Sequence, residues 1–256
     1  MKPLLLIAHP GHELRIYEWV RRVKPHVVVL THGDGSIHQP RLDDTRALLE
    51  PIGVRVRTDW LQPVADSQVY QALLGAGPSP FPAWLEALVQ AARQEPFDML
   101  VADEAEGYNP THDLCRVLAN CLAQRLEQDG RAVQNLEIPL IGHPCDPART
   151  AQAKVTVELS ASELGQKLAL MHSYAHRCSP LLEQELQTML DTYGAESFGM
   201  ECLYGATRTP YEDQRAPATV PYFEQVGEER YAAGVYQHVI RAEHLRQLVA
   251  SFTGPH

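Results

Sequence analysis

The stretch Leu4-Leu5-Leu6-Ile7-Ala8-His9-Pro10-Gly11-His12-Glu13 constrains this chain more than any other. Four large apolar residues run without polar interruption, which suits a strand buried on both faces of a sheet. Pro10 and Gly11 end that regular pairing. Residues 13–23 then read as an amphipathic helix: Leu14, Tyr17, Val20 and Val23 share a face, and Arg15, Glu18, Arg21 and Arg22 lie on others. His9, His12 and Glu13 therefore sit on a strand-to-helix turn, at the carboxyl edge where open α/β sheets bind ligands. Two imidazoles three residues apart on such a turn can converge on one metal ion.

The rest of the chain repeats this grammar. Residues 26–30 are a second β-branched run, so a helix joins two strands in a βαβ unit and the pair is expected to be parallel. The loop after it, Thr31 to Ser36, is broken by Gly33 and Gly35. His26, His32 and His38 nearby lack any ligand spacing and read as loop or surface residues. A helix over 41–52 closed by Gly53, a short strand over 54–57, a loop over 76–82 and a helix over 83–94 follow. Residues 97–102 form the next strand. They lead into Asp103-Glu104-Ala105-Glu106-Gly107-Tyr108-Asn109-Pro110-Thr111-His112-Asp113 and a helix over 114–128. A strand over 136–142 carries Pro139, which suggests an edge position, and ends at His143. Residues 154–159 alternate as a strand, and Ser160 with Glu163 forms a capping box for a helix over 161–177. His172 and His176, four apart, read as one exposed face of that helix. A helix over 181–193, a short segment over 198–204, a Pro-rich loop over 207–221 and a helical region over 226–252 complete the chain.

Ala8 to Glu13 resembles the Ala-His-Pro-Asp-Asp-Glu signature of the PIG-L/LmbE-like family, zinc-dependent N-deacetylases of acetylated amino sugars and related conjugates. The Thr-x-Gly loop at Thr31, Arg41 with Asp44 and Gly53, Lys167 with Leu170 and Tyr174, and Glu201 resemble further family positions, the last weakly. The resemblance implies that His9 and His112 bind metal, that Glu13 matches the final glutamate, and that Arg41 contacts substrate. Asn109 stands where the family has an oxyanion-stabilising histidine. Two key positions depart. Gly11 replaces the aspartate that acts as general base, and His12 replaces a metal-binding aspartate.

The expected metal set is thus His9, His12 and His112, an accepted catalytic zinc arrangement that other divalent ions such as Fe²⁺ can also use. With Gly11 lacking a side chain, the proton acceptor falls to Glu13 or Asp103, with Glu104, Glu106 and Asp113 as further carboxylates. Asn109 could donate to an oxyanion, and His143 could reach substrate. Glycine at position 11 also suggests extra room there.

The formal net charge of -10 argues against nucleic acid or an anionic membrane as partner and leaves a small molecule. No apolar run is long enough to span a bilayer, and the first one is too short for a secretory core, so a cytoplasmic protein is expected. The five cysteines show no C-x-x-C pair and read mostly as buried thiols. The expected architecture is a Rossmann-like three-layer α/β fold with a mostly parallel central sheet over 1–204. Residues 205–256 are expected as a loop and C-terminal helical extension that covers the site or supports a homo-oligomer. The expected function is metal-dependent amide hydrolysis. A metalloenzyme of another reaction type and a non-catalytic relic are the alternatives.

Overall fold

The computed structural model describes residues 2–35, 39–212 and 219–253. The first apolar run forms strand β1 (Leu4–Ile7) and the second β2 (His26–Val29), paired in parallel as the βαβ spacing predicts. β3 (Met99–Asp103) and β4 (Gln134–Ile138) extend the parallel part. β5 (Val155–Glu158) and β6 (Met200–Gly205) add antiparallel pairings, giving a six-stranded sheet of order β2-β1-β3-β4-β6-β5. β4 is therefore interior. Pro139 lies just past its end, where no ladder bond is lost, so the expected edge position is corrected.

Alternation along the central strands feeds two cores. Leu4, Leu6, Val28, Leu30, Leu100 and Ala102 face one side, and Leu5, Ile7, Val27, Val29 and Val101 face the other. The first side is covered by α3 (Asp66–Leu73), α4 (Phe81–Gln94), α5 (Pro110–Gln128) and α9 (Ala242–Thr253). The second is covered by α1 (Tyr17–Val23) and α2 (Leu42–Leu49). α6 (Ala161–Cys178) and α7 (Pro180–Tyr193) pack on each other and against α1's neighbourhood through Leu14, Tyr17, Met171, Tyr174 and Leu186. The fold is thus α/β with a mostly parallel mixed sheet. Helices are packed on both of its faces.

Several boundaries differ from expectation for physical reasons. The first helix opens as a 3₁₀ turn, His12–Ile16, because the chain must bend sharply away from β1 before α1 can begin. Residues 54–57 make only an isolated bridge, Val27 to Val56, rather than a strand. The C-terminal region is two helices, α8 (Tyr222–Ala232) and α9, separated by a turn at Gly234 with φ 71°. Leu245, Leu248 and Val249 of α9 join the same core as β1 and β3. Cys145 and Cys202 are joined in a disulfide, while Cys115, Cys121 and Cys178 are buried free thiols. Among the described residues no helix is long and apolar enough to cross a membrane.

The turn after β1 is held from below. The Lys167 ammonium donates to the Arg15 carbonyl at 2.9 Å and to Glu201 Oε1 at 2.8 Å. Glu201 in turn accepts the Glu18 and Trp19 backbone N–H groups at the first turn of α1. The Lys167, Glu201, Glu18 and Trp19 residues are all buried, so two N–H donors of the helix start are satisfied by one ion pair from α6 and β6. Glu201 is an anchor of this turn.

Candidate functional site

β1 and β3 are neighbours, so their carboxyl ends bring the His9–Glu13 turn beside the start of α5. The rings of His9, His12 and His112 gather there. Their centroids are 5.4 Å apart for His9 and His12, 5.1 Å for His9 and His112, and 4.5 Å for His12 and His112. Three imidazole nitrogens bound tetrahedrally at ~2.0–2.1 Å place ring centres roughly 5 Å apart, close to these separations. Among the described residues no group of three or more His, Cys, Asp or Glu is arranged so that it could hold a metal ion, so the ring separations show proximity of the three imidazoles and no more. His112 sits in the first turn of α5, not in the preceding loop as expected.

Two of the rings have fixed roles. The Thr31 hydroxyl donates to the Ala8 carbonyl at 3.1 Å and accepts the Gly33 N–H. Having one proton, it must accept from His9 Nδ1, which lies 2.7 Å away. His12 Nδ1 is 2.9 Å from Asp103 Oδ2, an acceptor when ionised, and donates to it. Each Nδ1 therefore carries a proton, so in the neutral ring Nε2 is the nitrogen that holds the lone pair. Orientation of a metal-binding histidine by a carboxylate or hydroxyl behind it is the usual supporting pattern. Burial lowers the His12 pKa, with Asp103 acting in the opposite direction, and burial lowers that of His112 well below its ordinary value. Both rings are neutral at pH 7 and free to donate a lone pair.

Sequence patterns alone give neither Asp66 nor Thr31 a chemical role. Asp66 Oδ1 lies 3.3 Å from His9 Nδ1, and its Oδ2 accepts the Gly35 N–H. Burial alone would raise the Asp66 carboxyl, but hydrogen bonding and charge from His9, with the Gly35 N–H, hold it below its usual range. Asp66 opens α3, a helix with few large apolar residues and hence a faint sequence signal.

Most of the carboxylates expected to supply a base have hydrogen-bond or ion-pair partners of their own. Glu13 is fully buried; its Oε2 accepts the Gly11 N–H and its Oε1 the Thr45 hydroxyl, so it braces the turn. Asp103 accepts both the Ala8 N–H and His12 through Oδ2, which lets it orient His12, while its Oδ1 is buried with no hydrogen-bond partner among the described residues. Glu104 pairs with Arg149, and Glu106 accepts the N–H groups of Leu140, Ile141 and Gly142. Asp113 accepts from Tyr211 and from Gly107, and burial pushes its carboxyl up to about 7. Asn109 is the N-cap of α5: its Oδ1 accepts the Thr111 N–H, leaving only the amide nitrogen to donate. His143 is not drawn into the cluster. Its Nδ1 accepts the Cys145 N–H, and its ring lies edge-on to Tyr193 at 5.0 Å. Arg41 is close by, its Nε–H donating to the Gly33 carbonyl. His26 bonds Arg57, His176 pairs with Glu183 at the surface, and His38 lies outside the described residues.

The expected room at Gly11 is absent. Gly11 has φ 102°, and a Cβ built there would meet Tyr174 Cε1 at 2.7 Å and its hydroxyl oxygen at 3.1 Å. The phenol from α6 fills the place a side chain at position 11 would take. Among the described residues its buried hydroxyl has no hydrogen-bond partner.

The neutral variant Asp103→Asn keeps an oxygen for Ala8 but loses the charge behind His12. Divalent metal affinity should fall about 10–100-fold, as for other supporting-group changes. Competition titration with a chromogenic chelator measures it, and unchanged affinity would remove Asp103 from the site.

Fold and site together give an α/β protein in which three imidazoles gather at the carboxyl edge of a mostly parallel sheet. Among solved structures, the chain is similar to the conserved protein TT1542 from Thermus thermophilus. That match has 15% identity and a TM-score of 0.51, and covers 85% of this chain and 100% of the other. At that identity the likeness is one of fold. No protein-family model matches the chain, and no curated protein matches it.

Proposed function

We propose that this protein is a Rossmann-like, metal-dependent hydrolase of the PIG-L/LmbE type. Its substrate is an amide, an N-acyl group on an amino sugar or a small conjugate. His9, His12 and His112 would hold the ion, Zn²⁺ first and Fe²⁺ as the alternative. The observation that carries the reading is the pair of imidazoles whose Nδ1–H groups are used by Thr31 and Asp103, which leaves two Nε2 lone pairs beside a third buried ring. A divalent ion there would supply Lewis acidity toward a carbonyl and a more acidic water.

The chain's own residues do the rest. Thr31, Asp66 and Asp103 orient the imidazoles, Glu13 and Lys167 hold the turn, and the Asn109 amide can donate to a developing oxyanion. The engagement of Glu13, Glu104, Glu106 and Asp113 favours one alternative, a metalloenzyme of different reaction type. Loss of a placed general base costs ~10²–10⁴-fold.

The two readings separate in one assay. Purified protein is analysed for metal, then incubated with N-acetylglucosamine and its simple glycosides, with and without chelator. Chelator-sensitive acetate release supports the hydrolase. One bound metal per chain with no acetate release overturns it in favour of the other chemistry.

A further inference from the structure

α7 presents one face to the loops at the carboxyl edge of the sheet. Glu185, Met189 and Tyr193 are spaced four apart and line one side of the helix. Tyr193 lies edge-on to His143 at 5.0 Å, and Arg15 Nη1 donates to Met189 Sδ at 3.7 Å. Glu185 Oε1 accepts the Tyr108 hydroxyl at 3.2 Å. Glu185 is the acid of the three.

Two neighbours place it beside the imidazoles. Tyr108 belongs to the loop that leads through the Asn109 cap to His112. Arg41 lies against Pro10, which stands between His9 and His12 in the turn: a Cβ on Gly33 would meet Arg41 Nη2 at 2.9 Å and Pro10 Cδ at 2.7 Å. The Arg41 cation acts on both His12 and Glu185. Glu185 therefore reaches from α7 toward the gap between the β1 turn and the start of α5, where the three rings gather.

Its oxygens differ from those of the other carboxylates there. Glu13, Glu106 and Asp113 each accept through both oxygens, and both oxygens of Glu104 face Arg149. Asp103 Oδ1 has no partner but is shut off from solvent. Glu185 is half-buried, and its Oε2 has no hydrogen-bond partner among the described residues and is not sealed from water. Burial raises the Glu185 pKa, while the Tyr108 hydroxyl and Arg41, the polar groups that bear on it, lower it in part. The balance leaves a stronger base than an exposed glutamate.

We propose that Glu185 is the general base of the site, the proton acceptor that Gly11 cannot supply. The role rests on the hydrolase reading above. Glu185 takes a proton from the attacking water as the water oxygen bonds to the amide carbon and the C=O electron pair moves onto oxygen. When the C–N bond breaks, that proton passes to the leaving nitrogen. Water and amide become acid and amine, with no other reactant.

The test compares wild type, Glu185→Gln, Glu185→Ala and Tyr108→Phe, each loaded with Zn²⁺. Acetate release from N-acetylglucosamine is followed across pH, and metal content and melting temperature are measured on each. Glu185→Gln should lose about 10²-fold or more in kcat with KM within about twofold, and should match wild type in metal content and melting temperature. Formate should restore part of the lost rate to Glu185→Ala, which a purely structural side chain would not permit. The wild-type rate should rise with pH as Glu185 loses its proton. Tyr108→Phe removes a donor to the ionised carboxylate, so this limb should move to higher pH. Undiminished kcat in Glu185→Gln overturns the role and leaves the hydrolase reading standing. So does a loss that comes only with lost metal or a lowered melting temperature and is not rescued by formate. Absence of chelator-sensitive acetate release in wild type overturns both.

Discussion

Replacing His112 with alanine should abolish metal retention and leave the fold in place. Wild-type protein is expected to keep about one divalent ion through dialysis, and the variant to keep less than roughly a tenth of that, since only two of the three imidazoles remain. The argument starts with α5. Its N-terminus is fixed by the Asn109 side chain and by Pro110, neither of which depends on the imidazole. Alanine is the best helix former, so the first turn persists. Among the described residues the His112 ring nitrogens have no hydrogen-bond partner, so removal orphans no buried group there. The stability change should stay near ~1 kcal/mol. The metal, by contrast, loses one of three imidazoles, and the remaining pair leaves half of a tetrahedral sphere to solvent. Elemental analysis and a denaturant melt read both quantities. His176→Ala is the control, because that ring is exposed and pairs only with Glu183 among the described residues. If His112→Ala retains stoichiometric metal, the ligand assignment fails.

Much of the scaffold is legible in the sequence because its strands are buried on both faces. Such strands must be continuous apolar runs, and Leu4–Ile7 and Val27–Leu30 are that. The capping box at Ser160 and Glu163 announces α6 for an equally local reason. What the sequence hides is pairing across distance. The Asp103–His12 contact spans 91 residues and exists only because β3 lies next to β1. Asp103 read alone is a spare carboxylate, hence its expected role as a base. Asp66 stays hidden with its helix, since eight residues with few large apolar side chains give little periodic signal. Pro139 misleads because a proline just beyond a strand and one on an edge strand look alike in a sequence.

Gly11→Asp restores the residue that the resembling signature carries, yet it should destabilise the protein by about 4 kcal/mol, the sum of two costs. At φ 102° any side chain strains the backbone, and a Cβ would lie 2.7 Å from the Tyr174 ring. Strain of the first kind costs ~1–3 kcal/mol, and overpacking of the second kind another ~1–3 kcal/mol. Tyr174 cannot move aside easily, because it packs with Leu14, Tyr17, Met171 and Phe198 in a closed cluster. Tyr174→Ala removes the collision and leaves a cavity, itself a loss of ~3–5 kcal/mol on the scale of other aromatic truncations. The two changes should therefore not add. In Gly11→Asp/Tyr174→Ala the new carboxylate occupies part of the vacated space, and the double variant should be about 2 kcal/mol more stable than the sum of single effects predicts. Urea denaturation of all four proteins measures this. Simple additivity would mean that Tyr174 does not fill the missing side chain's place, and a fully stable Gly11→Asp single variant would mean that position 11 accepts a side chain without strain.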